Sequence, residues 1–238
     1  MSKKFYAFGC SFTQGIELSS RTPYTSINPD ALAWPQQTVD NLNYDNETGK
    51  KNRHFTCHNL ARGGISPKIC VTKILRTTFQ EDDIAVILWP TYARTAILDK
   101  LQDSEHAAEY SDFMDDMHLH IAPGWCSTSK HERKGDHIDF YNKFYTDRDA
   151  LFNLRVLVKF TDAYLKDNGV NVYHLALEPQ DADPNWPAYI DSGVTITDWL
   201  HDDGKRKLAP MGEHLHPDYH TRLASRLADT IKKDVFSG

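Results

Sequence analysis

Residues Ile84-Ala85-Val86-Ile87-Leu88-Trp89 are apolar without a break, with Glu81-Asp82-Asp83 before them and Pro90 after. A strand with one wet face alternates apolar and polar side chains, whereas an unbroken run has both faces buried. Both faces of a strand are covered only when layers lie above and below the sheet, and parallel strands reached through helical crossovers produce that arrangement. This one segment directs the chain toward an α/β fold.

The flanking segments supply the expected helices and further strands. Lys4 to Phe8 is a short run ending at Gly9, and His54 to His58 is a weaker strand candidate. A polar stretch from Glu17 to Asp30 reads as loop, and Ala31 to Leu42 as a helix started or interrupted by Pro35. After Asn59 the chain runs Leu60-Ala61-Arg62-Gly63-Gly64-Ile65-Ser66-Pro67, a glycine turn followed by an N-cap serine and a first-turn proline. Ile69, Val71, Ile74 and Leu75 then form a helical apolar stripe. Leu151, Leu154, Val158 and Leu165 mark another helix, closed at Asn168-Gly169, before a strand from Val170 to Leu177. The last helix carries Leu223, Leu227, Ile231 and Val235 on one face. Strands alternating with helices predict a three-layer α/β/α sandwich around a central parallel sheet. The expectation is one domain over residues 1–238, with an irregular insertion at about 99–147 packed over one end of the sheet.

Composition narrows the function classes. A formal net charge of −6 argues against a broad nucleic-acid or membrane surface. No apolar run approaches the roughly 18 residues of a membrane span. Met1-Ser2-Lys3-Lys4 leads straight into the first strand with no apolar targeting segment, which predicts a cytoplasmic location. Cys10, Cys57, Cys70 and Cys126 show no C-x-x-C spacing and read as free thiols.

Parallel strands end on a common edge, where open α/β sheets bind ligands. That edge receives Ser11, two residues past Gly9, the Gly63-Gly64 turn, and Trp89-Pro90-Thr91. Gly212-Glu213-His214-Leu215-His216-Pro217, just before the last helix, can reach it. A serine becomes a nucleophile when a histidine takes its proton, and a carboxylate orients that histidine. Backbone N–H groups of a glycine turn can hold the developing oxyanion. His216 is the candidate base, with His214 and His220 as rivals, and Glu213 the orienting acid, with Asp218 an alternative. Gly64, or its neighbour Gly63, is the turn donor. Ser11 capping a helix is the plainer reading, and Arg94 as a surface ion-pairing residue is another. Glu213, His214, His216 and His220, with His118 and His120, also suggest metal ligation, but no H-E-x-x-H motif stands on a helix. No metal and no cofactor are expected.

Three blocks in order resemble the SGNH (GDSL-type) hydrolases. The first, G-D-S-x-x-x-G, stands as Gly9-Cys10-Ser11-Phe12-Thr13-Gln14-Gly15; the second is matched by Asn59, Gly64 and Ser66; the last, D-x-x-H before the final helix, stands as Glu213-His214-Leu215-His216-Pro217. The resemblance implies the flavodoxin-like sandwich, Ser11 as nucleophile, His216 as base, and the Ser11 and Gly64 N–H groups as oxyanion donors. Cys10 replaces the first block's aspartate and Glu213 that of the last. The family's G-x-N-D block is absent, with Thr91 at the position of its asparagine as the third oxyanion contact. Short forms opening on a G-C-S-F-T block are similar to those of bacteriophage genomes. The activity implied is cleavage of a small acyl or carbohydrate ester, with no nucleic acid or membrane partner. Trp125, Tyr141, Trp186 and Tyr189 would line a sugar pocket or fill the core. A binding module that keeps the fold without the chemistry is the alternative, and a metal-dependent phosphoesterase a third.

Overall fold

The computed structural model describes residues 2–15, 18, 29–44, 54–97, 119–121, 143–176, 186, 190 and 217–236. In chain order the elements are β1 (Lys3–Gly9), α1 (Ser11–Gln14), α2 (Pro29–Leu32), α3 (Trp34–Leu42), β2 (Phe55–Asn59), α4 (Pro67–Arg76), β3 (Ile84–Trp89), β4 (Thr95–Ile97), β5 (Leu119–Ile121), α5 (Asp147–Asp167), β6 (Asn171–Ala176) and α6 (Pro217–Phe236). The main sheet has the order β2-β1-β3-β6 with every pairing parallel. The short β4 and β5 pair antiparallel to each other; β4 stands just before the stretch expected to be irregular and β5 inside it.

All six residues of β3 are buried, as an unbroken apolar run in a central strand requires. Register aligns Phe5 with Ile84 and Val86 with Tyr173, so these side chains share one face; Tyr6, Ala85 and Val172 share the other. The first face lies under α3 and α6, where Asp234 of α6 comes close enough to help raise the phenol pKa of Tyr173 beyond its burial. The second lies under α4 and α5. There the Tyr6 hydroxyl donates to Thr78 O just past α4 (3.2 Å), and His174 faces Asp162 of α5. The result is a three-layer α/β/α sandwich.

Chain direction across the sheet decides where a ligand can sit. From β1 the chain crosses by α3 to β2 on one side, then returns by α4 to β3 on the other. The reversal opens a crevice beyond the C-terminal ends of β1 and β3, the switch point at which doubly wound sheets bind ligands. Asn43 fixes the crossover: its Oδ1 accepts the His54 and Phe55 N–H groups at 3.2 and 3.0 Å, and its Nδ2 donates to Phe55 O at 2.9 Å. At the opposite, N-terminal edge, buried Asp83 accepts the N–H groups of Lys4 and Gln80. A depression of about 490 Å³ between α3 and β2 also lies at that edge, away from the crevice.

Several local expectations need correction. The helix expected over Ala31 to Leu42 is two helices: α2 starts at Pro29, within the expected loop, and α3 restarts after Ala33 with Pro35 in its first turn. Leu75, placed in the apolar stripe of α4, is 44% exposed, because the face buried by α4 is carried by Ile69, Cys70, Val71 and Ile74. Ser66 holds the N-cap position of α4, yet its hydroxyl makes no capping bond and is buried without a partner. The α5 helix begins at Asp147, a turn ahead of Leu151, because Thr146 caps it by accepting the Asp149 N–H at 3.1 Å.

Candidate functional site

The end of β1 determines where Ser11 stands. Gly9 adopts φ +152°, and a β-carbon there would lie 2.3 Å from Thr13 Oγ1 and 2.7 Å from Leu88 O. Only glycine lets β1 stop against β3 while α1 starts immediately above it. Cys10 occupies the cap position in extended conformation, and its carbonyl accepts the N–H groups of Thr13 and Gln14, both at 3.0 Å. Ser11 is therefore the first residue of a single helical turn and not its cap, which removes the plainer reading of this serine. Its residue exposure is 6%. Cys10 is fully buried in the core.

The chain after β2 folds over this turn. Leu60 N–H donates to Ala7 O (2.9 Å) and Arg62 N–H to Gly9 O (3.1 Å), so the backbone stays beside β1 past the end of β2. Asn59 locks the two segments: its Nδ2 donates to Thr13 O at 3.1 Å and its Oδ1 accepts the Ala61 N–H at 3.3 Å. Lys73 of α4 reaches back with Nζ to Leu60 O. Gly63 N–H donates to Gln14 Oε1 at 2.6 Å. Gly64 takes φ +76°, the left-handed region that a side chain rarely tolerates.

These bonds separate the two glycines. The Gly63 N–H is already engaged by Gln14, whereas neither the Gly64 nor the Ser11 N–H donates to a described residue. The sequence favours Gly64 with Gly63 as the alternative; the bond to Gln14 adds a structural reason for that order. The place of Gln14 in the first block gives no sign of this role, since a glutamine there reads as an ordinary polar residue. Gln14→Leu is expected to orphan the Gly63 N–H and lower stability by about 1–3 kcal/mol. Gln14→Glu, which keeps an acceptor, should retain most of it. Urea unfolding with amide exchange at Gly63 checks this, and equal protection of Gly63 in wild type and Gln14→Leu would refute the tie.

At the end of β3, Thr91 leaves the sheet two residues past Trp89. Thr91 O accepts the Arg94 N–H at 3.1 Å, and Thr91 Oγ1 takes a weak bond from Ala93 N–H at 3.5 Å. Trp89 itself is anchored from below: its Nε1–H donates to His174 Nδ1 at 3.0 Å, with the rings stacked. His174 is fully buried, and Nδ1 as acceptor assigns the ring proton to Nε2. Nε2 stands 3.6 Å from Asp162 Oδ1, too long for a formed hydrogen bond, and Asp162 Oδ2 pairs with Lys166 Nζ at 3.0 Å. Burial holds the His174 pKa below the ordinary histidine range despite Asp162. Burial pushes the Asp162 carboxyl up, but His174 and Lys166 together outweigh it and hold it below the usual value.

Thiol and amine chemistry beneath the turn is muted. Burial pushes the Cys70 thiol up to about 12, so it stays protonated, a structural cysteine and not a reactive one. Burial also brings Lys73 down to about 8, with the charge of Arg62 acting in the same direction and Cys70 opposing.

Glu213, His214 and His216 lie outside the described residues, as do His118, Trp125, Tyr141 and Tyr189. The α6 helix that follows His216 can be placed. His220 Nδ1 accepts the Trp34 N–H at 3.0 Å, which fastens the first turn of α6 to the start of α3 at the crevice edge. His220 is buried in that structural bond and is thereby a poor rival for a mobile base. Asp218 is exposed on the same turn, and Trp186 is a core residue. Among the described residues no three His, Cys, Asp or Glu side chains are grouped closely enough to hold a metal ion, and no helix is long and apolar enough to cross a membrane.

No protein-family model matches the chain, and no curated protein matches it. Among solved structures, the YxiM protein of Bacillus subtilis is similar over the whole chain at 13% identity and a TM-score of 0.44; the chain spans 58% of the length of that structure. A protein from Veillonella parvula described as a member of the lipolytic G-D-S-L family is similar over 99% of both chains, at 12% identity and a TM-score of 0.37.

Proposed function

We propose that the chain is a serine hydrolase of SGNH type that cleaves an ester through an acyl-enzyme on Ser11. The observation carrying this reading is the pair of N–H groups, on Ser11 and Gly64, that donate to no described residue at the switch-point crevice, with Gly63 withdrawn from the set by Gln14. Hydrogen-bond donors preorganised at the mouth of a parallel sheet, one belonging to the serine itself, are what an acyl-transfer transition state needs.

In the proposed cycle His216 removes the Ser11 proton as Oγ attacks the ester carbonyl. The negative charge moves to the carbonyl oxygen, and the Ser11 and Gly64 N–H groups stabilise it. His216 then gives the proton to the leaving alcohol, and water, deprotonated by the same ring, releases the acid. Glu213 orients His216 through its second nitrogen. Thr91 stands where the family's asparagine would, and its shorter side chain is a weaker third donor. A missing oxyanion donor raises the barrier by about 2.7–4 kcal/mol, so a slow or demanding enzyme is expected. Small acyl esters and carbohydrate esters are the substrate classes in view, and a cytoplasmic site of action goes with them.

The test combines fluorophosphonate labelling with hydrolysis of p-nitrophenyl acetate and butyrate. Labelling should map to Ser11, and both readouts should fall by about 10⁴-fold in Ser11→Ala and in His216→Ala, unaffected by chelator. Loss of activity on chelation would favour metal chemistry instead. An unlabelled Ser11 together with no hydrolysis would favour the second reading, a non-catalytic binding module. The absent G-x-N-D block is the observation behind that alternative.

A further inference from the structure

The turn after β3 carries a group that this chemistry does not use. Arg94 follows Thr91 by three residues and is joined to it through the bond from Arg94 N–H to Thr91 O. Its guanidinium Nη1 is closed off from solvent and donates to no acceptor among the described residues. A guanidinium stays charged throughout the physiological range and offers five donors in a rigid fork. Burying such a donor unpaired is strongly unfavourable, and native structures rarely do so without a purpose. Other cations stand on the same edge. Arg62 lies beside Gly9, and Lys73 reaches Leu60 O, close enough to Arg62 for the two charges to be felt together. In a chain of net charge −6, Arg62 and Lys73 bring positive charge to the segment that lies beside the Ser11 turn.

We propose that Arg94 seats an anionic group, a carboxylate or a phosphate, carried by the ester that Ser11 attacks. The planar fork matches the paired oxygens of either group, and the surrounding positive field draws an acidic ester toward the crevice. The substrate is then an acidic ester, not a neutral one. Naming it a substrate rests on the hydrolase reading, whereas the anion site stands on the unpaired Nη1 of Arg94.

Binding is measured without catalysis by calorimetric titration of the wild-type protein with succinate and, separately, with inorganic phosphate. Saturable one-to-one uptake of either ion is expected, weakened roughly tenfold or more in Arg94→Gln and less in Arg94→Lys, which keeps charge but loses the fork. The ion that binds distinguishes a carboxylate substrate from a phosphate one. Since Nη1 of the unliganded guanidinium lacks a partner among the described residues, Arg94→Gln should melt at or above the wild-type temperature when no anion is added. No saturable uptake of either ion, equal uptake by Arg94→Gln, or a lower melting temperature of that variant would each overturn the proposal. Failure here with Ser11 still labelled by fluorophosphonate leaves the hydrolase reading standing. Anion binding with no labelling does the reverse.

Discussion

Gly9→Ala is expected to destabilise the protein by about 2–6 kcal/mol and to abolish the Ser11 site with it. Two costs combine. A side chain at φ +152° is strained by about 1–3 kcal/mol. The added methyl also meets Thr13 Oγ1 at 2.3 Å and the Leu88 carbonyl at 2.7 Å, and overpacking of this kind costs about another 1–3 kcal/mol. Thr13 can rotate away, but the Leu88 carbonyl belongs to the central strand and cannot. Relief must come from lifting α1, which carries Ser11 and Gln14. Against a total stability of about 5–15 kcal/mol, a loss of this size removes much of the folded population. Urea denaturation and soluble yield measure the effect. A midpoint matching the wild type would show that β1 and β3 are not held in the contact described.

The second large effect concerns the buried chain from Trp89 through His174 to Asp162 and Lys166. His174→Leu deprives the fully buried Trp89 indole N–H of its acceptor and leaves the buried Asp162 with Lys166 alone. A destabilisation of about 2–5 kcal/mol is expected, from an orphaned buried donor together with a weakened charge pair. The pH dependence gives this prediction a sign. The folded pKa of His174 is held below the ordinary histidine value, mainly by burial, so in the native state the ring resists protonation. The unfolded chain takes up that proton as pH drops through about 6.5. The stability that His174 contributes is therefore fully present above about pH 6.5 and declines as pH falls toward its lowered native value. The gap between wild type and His174→Leu should be widest near neutrality and narrow on acidification, other titrations cancelling in the difference. Parallel stability curves from pH 8 to 5 would refute it.

How much of this was legible in the sequence varies with how local the signal is. The unbroken Ile84–Trp89 run announces a strand covered on both faces, because no other environment suits six consecutive apolar side chains. Gly9 and Gly15 bracket Ser11 visibly, since both serve backbone conformations that other residues avoid. The break between α2 and α3 is half visible: Pro35 marks a helix start, but only tertiary contact, His220 taking up the Trp34 N–H, settles that α3 begins at Trp34. Leu75 misled because an apolar residue on a helix period is not bound to face the core; the neighbouring Cys70 and Val71 took that surface. Gln14 and the His174–Asp162 pair were invisible for a common reason. Their partners, Gly63 and Trp89, lie far along the chain, and no period or spacing connects them. The three-block resemblance singles out Ser11 and Gly64 as candidates, and the hydrogen bond from Gly63 N–H to Gln14 is a further reason, absent from the sequence, to set Gly63 aside.

The fastening of α3 to α6 has a consequence for how the chain is made. Both ends of α3 are tied to α6: Trp34 N–H to His220, 186 residues onward, and Tyr44 O to Lys232, 188 residues onward. As the polypeptide leaves the ribosome, Trp34, Val39 and Leu42 emerge early, while the helix that covers them is synthesised late. Closing so long a span delays the reward for ordering α3, and its apolar side stays open to chaperones or to wrong partners in the meantime. The layer that completes the sandwich over β1 and β3 is thus laid down long after the strands it covers, and the crevice around Ser11 gains this wall only then.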